Sequence, residues 1–336
     1  MALALYAPGL GYYARGARQF GRLPASGSDF VTAPELSPLF GRTLARQVAQ
    51  ALQETGTGMV IEFGAGSGAL AVQLLAALDE DATRKPVDYR IVELSATLRE
   101  RQQQTLAAYG ARVRWLDALP ARIEGVVVGN EVLDAMPVQL LHFDGHAWRE
   151  RGVALQAGKL AFADRPTALR PPGDPPCLPG TVTEIHLQAE AFVRTLAACL
   201  VRGAAFFVDY GFPEHEYYHP QRHGGTLMCH RGHVADTDPL VDVGGKDITA
   251  HINFSAIALA AQDAGLHVLG YTSQGRFLIN CGLPEWLASA DARTRAAAQP
   301  LLQEHEMGEL FKVLGLAAGA PFDAIGFVTG DRSHTL

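Results

Sequence analysis

Apolar positions in the first part of the chain alternate between helical and strand spacing. Apolar residues recur every four positions between Leu36 and Leu52, which predicts an amphipathic helix. A short apolar run at 59–63 predicts a buried strand, which enters a glycine-rich turn before a second helix. Further strands are predicted at 89–93, 113–115 and 125–130. This alternation predicts an α/β fold, a Rossmann-like core with a mainly parallel sheet and helices on both faces.

The alternation stops after Pro137. The runs 139–143 and 148–153 predict an inserted β-hairpin, because the pair Asp144 and Gly145 between them favours a type I′ turn. Residues 166–180 are rich in proline and predict an irregular connection.

The strand and helix spacing returns later in the chain. A strand is predicted at 204–209, and a helix at 255–264 precedes a strand at 266–271. Residues 211–250 predict a long ordered loop over the sheet edge, and loops of that length are usually functional. Residues 283–316 are predicted to be mostly helical and 322–328 to be a last strand.

These patterns divide the chain into six predicted parts. They are an amino-terminal covering segment 1–35, the first half of the core 36–137, the hairpin and proline-rich insert 138–185, the second half of the core 186–272, a helical insert 273–320, and the final strand 321–330.

The composition of the 336 residues is that of an ordinary globular protein, with 48% hydrophobic and 19% charged residues. A formal net charge of −7 argues against nucleic acid as a partner, whereas an acidic pocket would attract a cation. The four cysteines include no C-x-x-C pair, which favours a reducing compartment. No apolar stretch has the length of a membrane span, and the first residues lack the features of a signal peptide.

The strongest chemical signal is the turn Glu-Phe-Gly-Ala-Gly-Ser-Gly at 62–68. Its glycines allow positive φ, so a ligand can approach the backbone at a helix amino end. Dinucleotide sites use a similar turn, and a purely structural turn is a further alternative. The G-x-G-x-G spacing, with a carboxylate just before it that can hold an ammonium, favours S-adenosylmethionine. The predicted cofactor-binding residues here are Glu62, Gly64, Ala65, Gly66 and Gly68.

Two more acidic residues follow predicted strands. Glu93 ends the second strand, where a carboxylate can accept hydrogen bonds from ribose hydroxyls. Asp117 follows the third strand and could reach the adenine, although a solvated loop acid is an equal alternative.

Polar residues also cluster after the fourth and fifth strands of the core. Asn130, Glu131 and Asp134 follow strand four, and Asp209 ends strand five at the same edge of the sheet. Carboxylates there could align a guanidinium and accept its proton, so all four are candidate catalytic residues, with Asn130 also near the cofactor. The alternatives are a helix-capping asparagine and a structural turn.

Histidines and cysteines crowd the loop 211–250. A histidine pair four residues apart can bind zinc, but no helix is evident there and Pro213 and Pro220 interrupt the run. We therefore predict no metal site among His215, His219, His223, Cys229, His230 and His233.

Over nearly its whole length the chain resembles the MidA-type methyltransferases, the family that includes a mitochondrial complex I assembly factor which methylates an arginine. The motifs that carry the resemblance include the tyrosines at 6, 12 and 13, Asp29-Phe30-Val31-Thr32 with Pro34-Glu35, the glycine turn, Asn130-Glu131, Asp209-Tyr210-Gly211 and Asp247-Ile248-Thr249. Two features depart from the family pattern. The chain begins inside a region that family members precede with a helix, and Gly27-Ser28-Asp29-Phe30 is one residue longer than usual.

The resemblance implies a class I methyltransferase that uses S-adenosylmethionine to methylate a protein arginine, with a respiratory complex I subunit as the candidate partner. It implies a cytoplasmic protein if the source is bacterial and a mitochondrial matrix protein if it is eukaryotic. It defines no oligomeric state. The alternatives are a non-catalytic assembly factor that binds the cofactor and a nicotinamide-dependent oxidoreductase.

Overall fold

The computed structural model describes residues 1–15, 31–83, 85–173, 175 and 177–336, so Gly27-Ser28-Asp29-Phe30 lies outside the described residues. The α-helices are α1 Ala2–Tyr6, α2 Ala33–Leu36, α3 Pro38–Thr55, α4 Ala69–Asp79, α5 Ala96–Thr105, α6 Leu187–Cys199, α7 Glu214–Tyr217, α8 Phe254–Asp263, α9 Gln274–Asn280, α10 Leu283–Ser289, α11 Ala292–Ala298 and α12 Met307–Leu310. The strands are β1 Met59–Phe63, β2 Asp88–Val92, β3 Val113–Leu116, β4 Ile123–Asn130, β5 Gln139–Phe143, β6 Trp148–Gln156, β7 Lys159–Pro166, β8 Val182–Ile185, β9 Leu200–Phe212, β10 Met228–Arg231, β11 Val234–Asp236, β12 Asp247–Thr249, β13 Ile252–Asn253, β14 His267–Ser273 and β15 Phe311–Ala318.

The main sheet of the described chain has the strand order β14-β15-β9-β4-β1-β2-β3, with β13 beside β9. Neighbouring strands are parallel from β9 to β3. Strand β15 runs antiparallel to both β9 and β14. The predicted α/β fold with a mainly parallel sheet is confirmed.

Two apolar cores lie on the two faces of this sheet. Val60 and Val126 belong to the core under α3 and α4, whereas Ile61 and Val127 belong to the core under α6 and α8. Strand β1 is buried along its whole length, which explains why its sequence is apolar at every position except Glu62.

Helix α3 begins and ends at residues suited to these positions. The Ser37 hydroxyl accepts a hydrogen bond of 3.3 Å from the Leu39 N–H, and Gly56 ends the helix with a φ of 62°. The Gly41 N–H donates to Gln73 of α4 at 2.9 Å. The hydrogen bond between Gly41 and Gln73 joins α3 to α4, the helix that follows the glycine turn.

The insert between the two halves of the core is a four-stranded antiparallel sheet of order β7-β6-β5-β8. The hairpin of β5 and β6 is confirmed, but its loop is four residues long and Asp144 caps it by accepting the N–H groups of His146 and Ala147 at 2.8 Å. A two-residue turn joins β6 to β7 instead, where Ala157 and Gly158 both have positive φ. The strands β7 and β8 were not predicted.

Two further predictions from the sequence are wrong. Residues 211–250 contain a three-stranded sheet of order β11-β10-β12 rather than only a loop. The last strand is β15, which begins inside the stretch 283–316 predicted to be mostly helical, whereas 322–328 contains only a 3₁₀ turn at Ile325–Phe327. Every residue of β15 is buried, so its sequence lacks the alternation that distinguishes a strand from a buried helix.

Candidate active site

A cavity of about 930 Å³ lies at the carboxyl ends of β1, β2, β4 and β9. This is the edge of an open α/β sheet where ligands bind. Tyr6 and Tyr13 from the amino-terminal segment, and Glu35 from α2, line it as well. The cavity is therefore built by segments that lie far apart in the sequence.

The glycine turn forms one wall of the cavity. Gly64 and Gly66 have φ values of 61° and 54°, which residues with a Cβ rarely adopt, and both line the cavity together with Ala65. Gly68, with φ of 86°, is the residue before α4 and does not line the cavity. The Ser67 hydroxyl donates a hydrogen bond to Glu35.

Glu62 lies in β1, just before the glycine turn. It is buried, lines the cavity, and accepts a hydrogen bond of 2.7 Å from the Tyr89 hydroxyl. Burial raises the pKa of Glu62 to about 7, while the bond from Tyr89 lowers it in part. A cation next to this carboxylate would favour its ionised form.

Glu93 lines the cavity, but Asp117 does not. The carboxylate of Glu93 accepts hydrogen bonds of 2.9 Å from the Ser95 N–H and from the side chain of Gln102, and burial raises its pKa. The Asp117 side chain is 88% exposed and pairs with Arg99 at 2.8 Å. The structure therefore leaves Asp117 outside the cavity lining, exposed and paired with an arginine.

Asn130 and Glu131 turn the chain at the end of β4. The Asn130 amide donates to Glu131 at 2.9 Å, and the N–H of Ala33 also donates to that carboxylate. Glu131 has a φ of 54°, and its pKa is raised to about 8 by burial and by the charge of Asp134. No helix begins at Asn130, so the helix-cap alternative is wrong.

Asp134 and Asp209 differ in where their carboxylates point. The Tyr210 hydroxyl donates a hydrogen bond to Asp134 Oδ2, while the buried Asp134 Oδ1 has no hydrogen-bond partner among the described residues. Burial raises the pKa of Asp134 to about 6. Asp209 does not line the cavity; its Oδ2 accepts the N–H groups of Val132, Leu133 and Asp134 at 2.9 to 3.3 Å. Asp209 thus shapes the turn, and the structure does not place it in the cavity lining, where the predicted catalytic role would require it.

The charge of the cavity is strongly one-sided. The described residues that line it include no lysine or arginine. They include six carboxyl groups, from Glu35, Glu62, Glu93, Glu131, Asp134 and Asp247. Glu62, Asp134 and Asp247 are buried, and burial of a carboxyl group is unfavourable unless it is protonated or meets a cation. The cavity is therefore suited to cationic ligands.

Sequence reasoning gave no role to several residues that line the cavity, namely Tyr6, Tyr13, Tyr210, Asp247 and His251. Four of them belong to the motifs that carry the family resemblance or adjoin one, but no local pattern indicates that they meet.

In the described ranges no group of three His, Cys, Asp or Glu side chains is arranged to hold a metal ion. No helix in the same ranges is long and apolar enough to cross a membrane.

This fold, with an acidic cavity beside a glycine turn, is that of a class I methyltransferase, and comparison with known proteins agrees. Residues 43–272 match the family described as "Putative S-adenosyl-L-methionine-dependent methyltransferase". The match spans more than half of the chain, and the chain belongs to this family. The predicted dependence on S-adenosylmethionine is confirmed, and the nicotinamide alternative is wrong.

Two crystal structures from Burkholderia thailandensis are similar over 100% of this chain and 90% of theirs. One, bound to S-adenosyl-homocysteine, is 55% identical with a TM-score of 0.95. The other, a native structure, is 54% identical with a TM-score of 0.91.

Among the relatives are two proteins named as mitochondrial protein arginine methyltransferases. The NDUFAF7 homolog of Caenorhabditis elegans is 26% identical, over 96% of this chain and 80% of the relative. NDUFAF7 of Danio rerio is also 26% identical, over 93% of this chain and 81% of the relative.

Proposed function

We propose that this methyltransferase modifies a guanidinium nitrogen of an arginine in a protein. The observation that carries the proposal is the cavity with six carboxyl groups and no lysine or arginine among its described lining residues. The cofactor carries a sulfonium and an ammonium, offset in part by its own carboxylate, and these charges suit an acidic lining. A guanidinium acceptor is a second cation that suits the same lining.

The residues at one end of the cavity fit the cofactor. Gly64, Ala65 and Gly66 present their backbone without bulky side chains, Glu62 can accept an ammonium, and Glu93 can accept ribose hydroxyls. When bound, S-adenosylmethionine supplies an electrophilic methyl group on a sulfonium that leaves as a neutral thioether.

We assign Asn130, Glu131 and Asp134 to the acceptor end. A guanidinium stays protonated in water, so its nitrogen needs alignment more than it needs a strong base. Carboxylates that accept two of its N–H groups would hold the plane of the guanidinium in one orientation. Asp134 Oδ1, which has no partner among the described residues, is the atom we assign to accept the released proton.

The substrate protein is a finer part of the proposal. The names of the relatives specify protein arginine methylation in mitochondria. The family resemblance suggests a respiratory complex I subunit as the partner, in the cytoplasm of a bacterium or the matrix of a mitochondrion.

The test is methyl transfer from a cofactor with a deuterated methyl group into lysate of cells that lack this gene, followed by mass spectrometry. We expect the label on arginine in few proteins, with wild-type enzyme and not with Glu62→Ala. Label on lysine, histidine or oxygen would contradict the proposal. S-adenosylhomocysteine binding without any transfer would instead support a non-catalytic assembly factor.

A further inference from the structure

Two carboxylates of the cavity are each held by a tyrosine hydroxyl. Tyr210 donates to Asp134 Oδ2. Tyr13 donates to Asp247 Oδ2 at 3.1 Å, although 234 positions separate the two residues in the chain. All four side chains line the cavity. Two equivalent tyrosine–carboxylate pairs therefore face one space.

A small apolar core fixes the segment of Tyr13 against the segment of Asp247. Leu5 and Tyr12 pack with Cys229 and Ile248, which belong to strands β10 and β12. Asp247 is 2% exposed, and its Oδ1 accepts the Ile248 N–H at 2.9 Å. These hydrogen bonds from Tyr13 and Ile248 orient the Asp247 carboxylate.

The stacked rings of Tyr6 and Tyr13 connect the two pairs. Their centroids are 5.7 Å apart with an angle of 19° between the planes, and the Tyr6 hydroxyl donates to the Ala135 carbonyl at 2.8 Å. Burial, followed by the charges of Asp134 and Asp247, raises the pKa of Tyr6. Burial is also the largest cause of the raised pKa of Tyr13, to which the charges of Asp247 and Asp134 contribute. Both rings and both carboxylates line the same cavity.

We propose that Asp247 is a second acceptor-binding carboxylate, which together with Asp134 holds a planar guanidinium, and that Tyr13 is its positioning residue. The proposal rests on arginine as the acceptor. A guanidinium has donors on several edges of one plane, so it can reach carboxylates on two sides and still stack on an aromatic ring. An ammonium has no plane for the tyrosine rings to select.

The test uses two S-adenosylhomocysteine analogues whose sulfur is replaced by nitrogen. One carries a short guanidinoalkyl arm and the other a urea arm of equal length, and calorimetry measures both dissociation constants. For wild type we expect the guanidinium analogue to bind at least about tenfold tighter, as a charge-assisted contact would give. Asp247→Asn should lose most of this ratio and Tyr13→Phe part of it. The exposed Asp238→Asn is the matched control and should keep it.

Three outcomes are decisive. A wild-type protein without preference for guanidinium would contradict the proposed function itself. A wild-type preference that Asp247→Asn retains in full would overturn the role of Asp247 while leaving that function intact. The variant Asp247→Glu keeps the charge, so equal loss in both Asp247 variants would also overturn it. Binding of S-adenosylhomocysteine by each variant shows that the fold and the cofactor end are intact.

Discussion

The side-chain amide of Gln102 donates a hydrogen bond of 2.9 Å to the carboxylate of Glu93. The same amide donates to the Gly66 carbonyl at 3.0 Å, and its oxygen accepts the Trp115 indole N–H at 2.9 Å. Gln102 is fully buried. One side chain thus connects the glycine turn after β1 to the carboxylate after β2, which are the two predicted parts of the cofactor site.

This connection makes Gln102 testable as a positioning residue. Gln102→Leu keeps the volume but removes all three hydrogen bonds, and we expect the dissociation constant of S-adenosylhomocysteine to rise about tenfold, the scale of lost hydrogen bonds to a charged group. Calorimetry would measure it. The exposed neighbour Gln103→Leu is the control, and equal affinities of the two variants would contradict the connection.

The position of Glu93 predicts a direct effect on the cofactor. Glu93→Ala removes the charged acceptor for ribose hydroxyls and should weaken S-adenosylhomocysteine binding by about 1–3 kcal/mol. Asp117→Ala should leave the affinity unchanged, because that carboxylate is exposed and paired with Arg99. Unchanged affinity in Glu93→Ala would make Glu93 a structural residue at the end of β2.

The parts of the site that sequence could predict are local. Glu62 and the glycines that follow it lie where strand β1 ends and helix α4 begins. The spacing of apolar residues predicts both this strand and this helix. The sequence places Asp209 at the end of a predicted strand and so predicts a cavity residue, but it does not show the hydrogen bonds that hold Asp209 to the turn at 132–134. Nothing local indicates that Tyr13 meets Asp247, because tertiary packing alone joins them.

The acceptor end predicts a separation of binding from turnover. Asp134→Asn removes the charge and replaces the carboxylate that would accept the proton by a non-basic amide, so we expect kcat to fall about 10²-fold or more while S-adenosylhomocysteine affinity stays unchanged. Tyr210→Phe, which removes only the hydroxyl that orients Asp134, should reduce kcat less. The measurement is a methyltransferase assay on the identified substrate beside calorimetry. Full turnover in Asp134→Asn would exclude it from proton transfer.

Glu131 predicts how the stability of the ligand-free protein depends on pH. Burial, and then the charge of Asp134, raises the pKa of Glu131 from 4.5 to about 8. A carboxyl group with a raised pKa stabilises the fold while it is protonated, below the unfolded pKa, and that contribution is lost as the pH rises through about 8.

The glutamine of Glu131→Gln does not titrate. The melting temperature of the variant minus that of wild type should therefore increase from pH 6 to pH 9 and reach about 2 °C or more at pH 9. Glu62, whose pKa burial raises to about 7, is present in both proteins, so its contribution cancels. The exposed Glu54→Gln is the control and should show no such trend. Scanning calorimetry at several pH values checks this. A constant difference between Glu131→Gln and wild type would mean that Glu131 is already ionised at pH 6 in the folded protein.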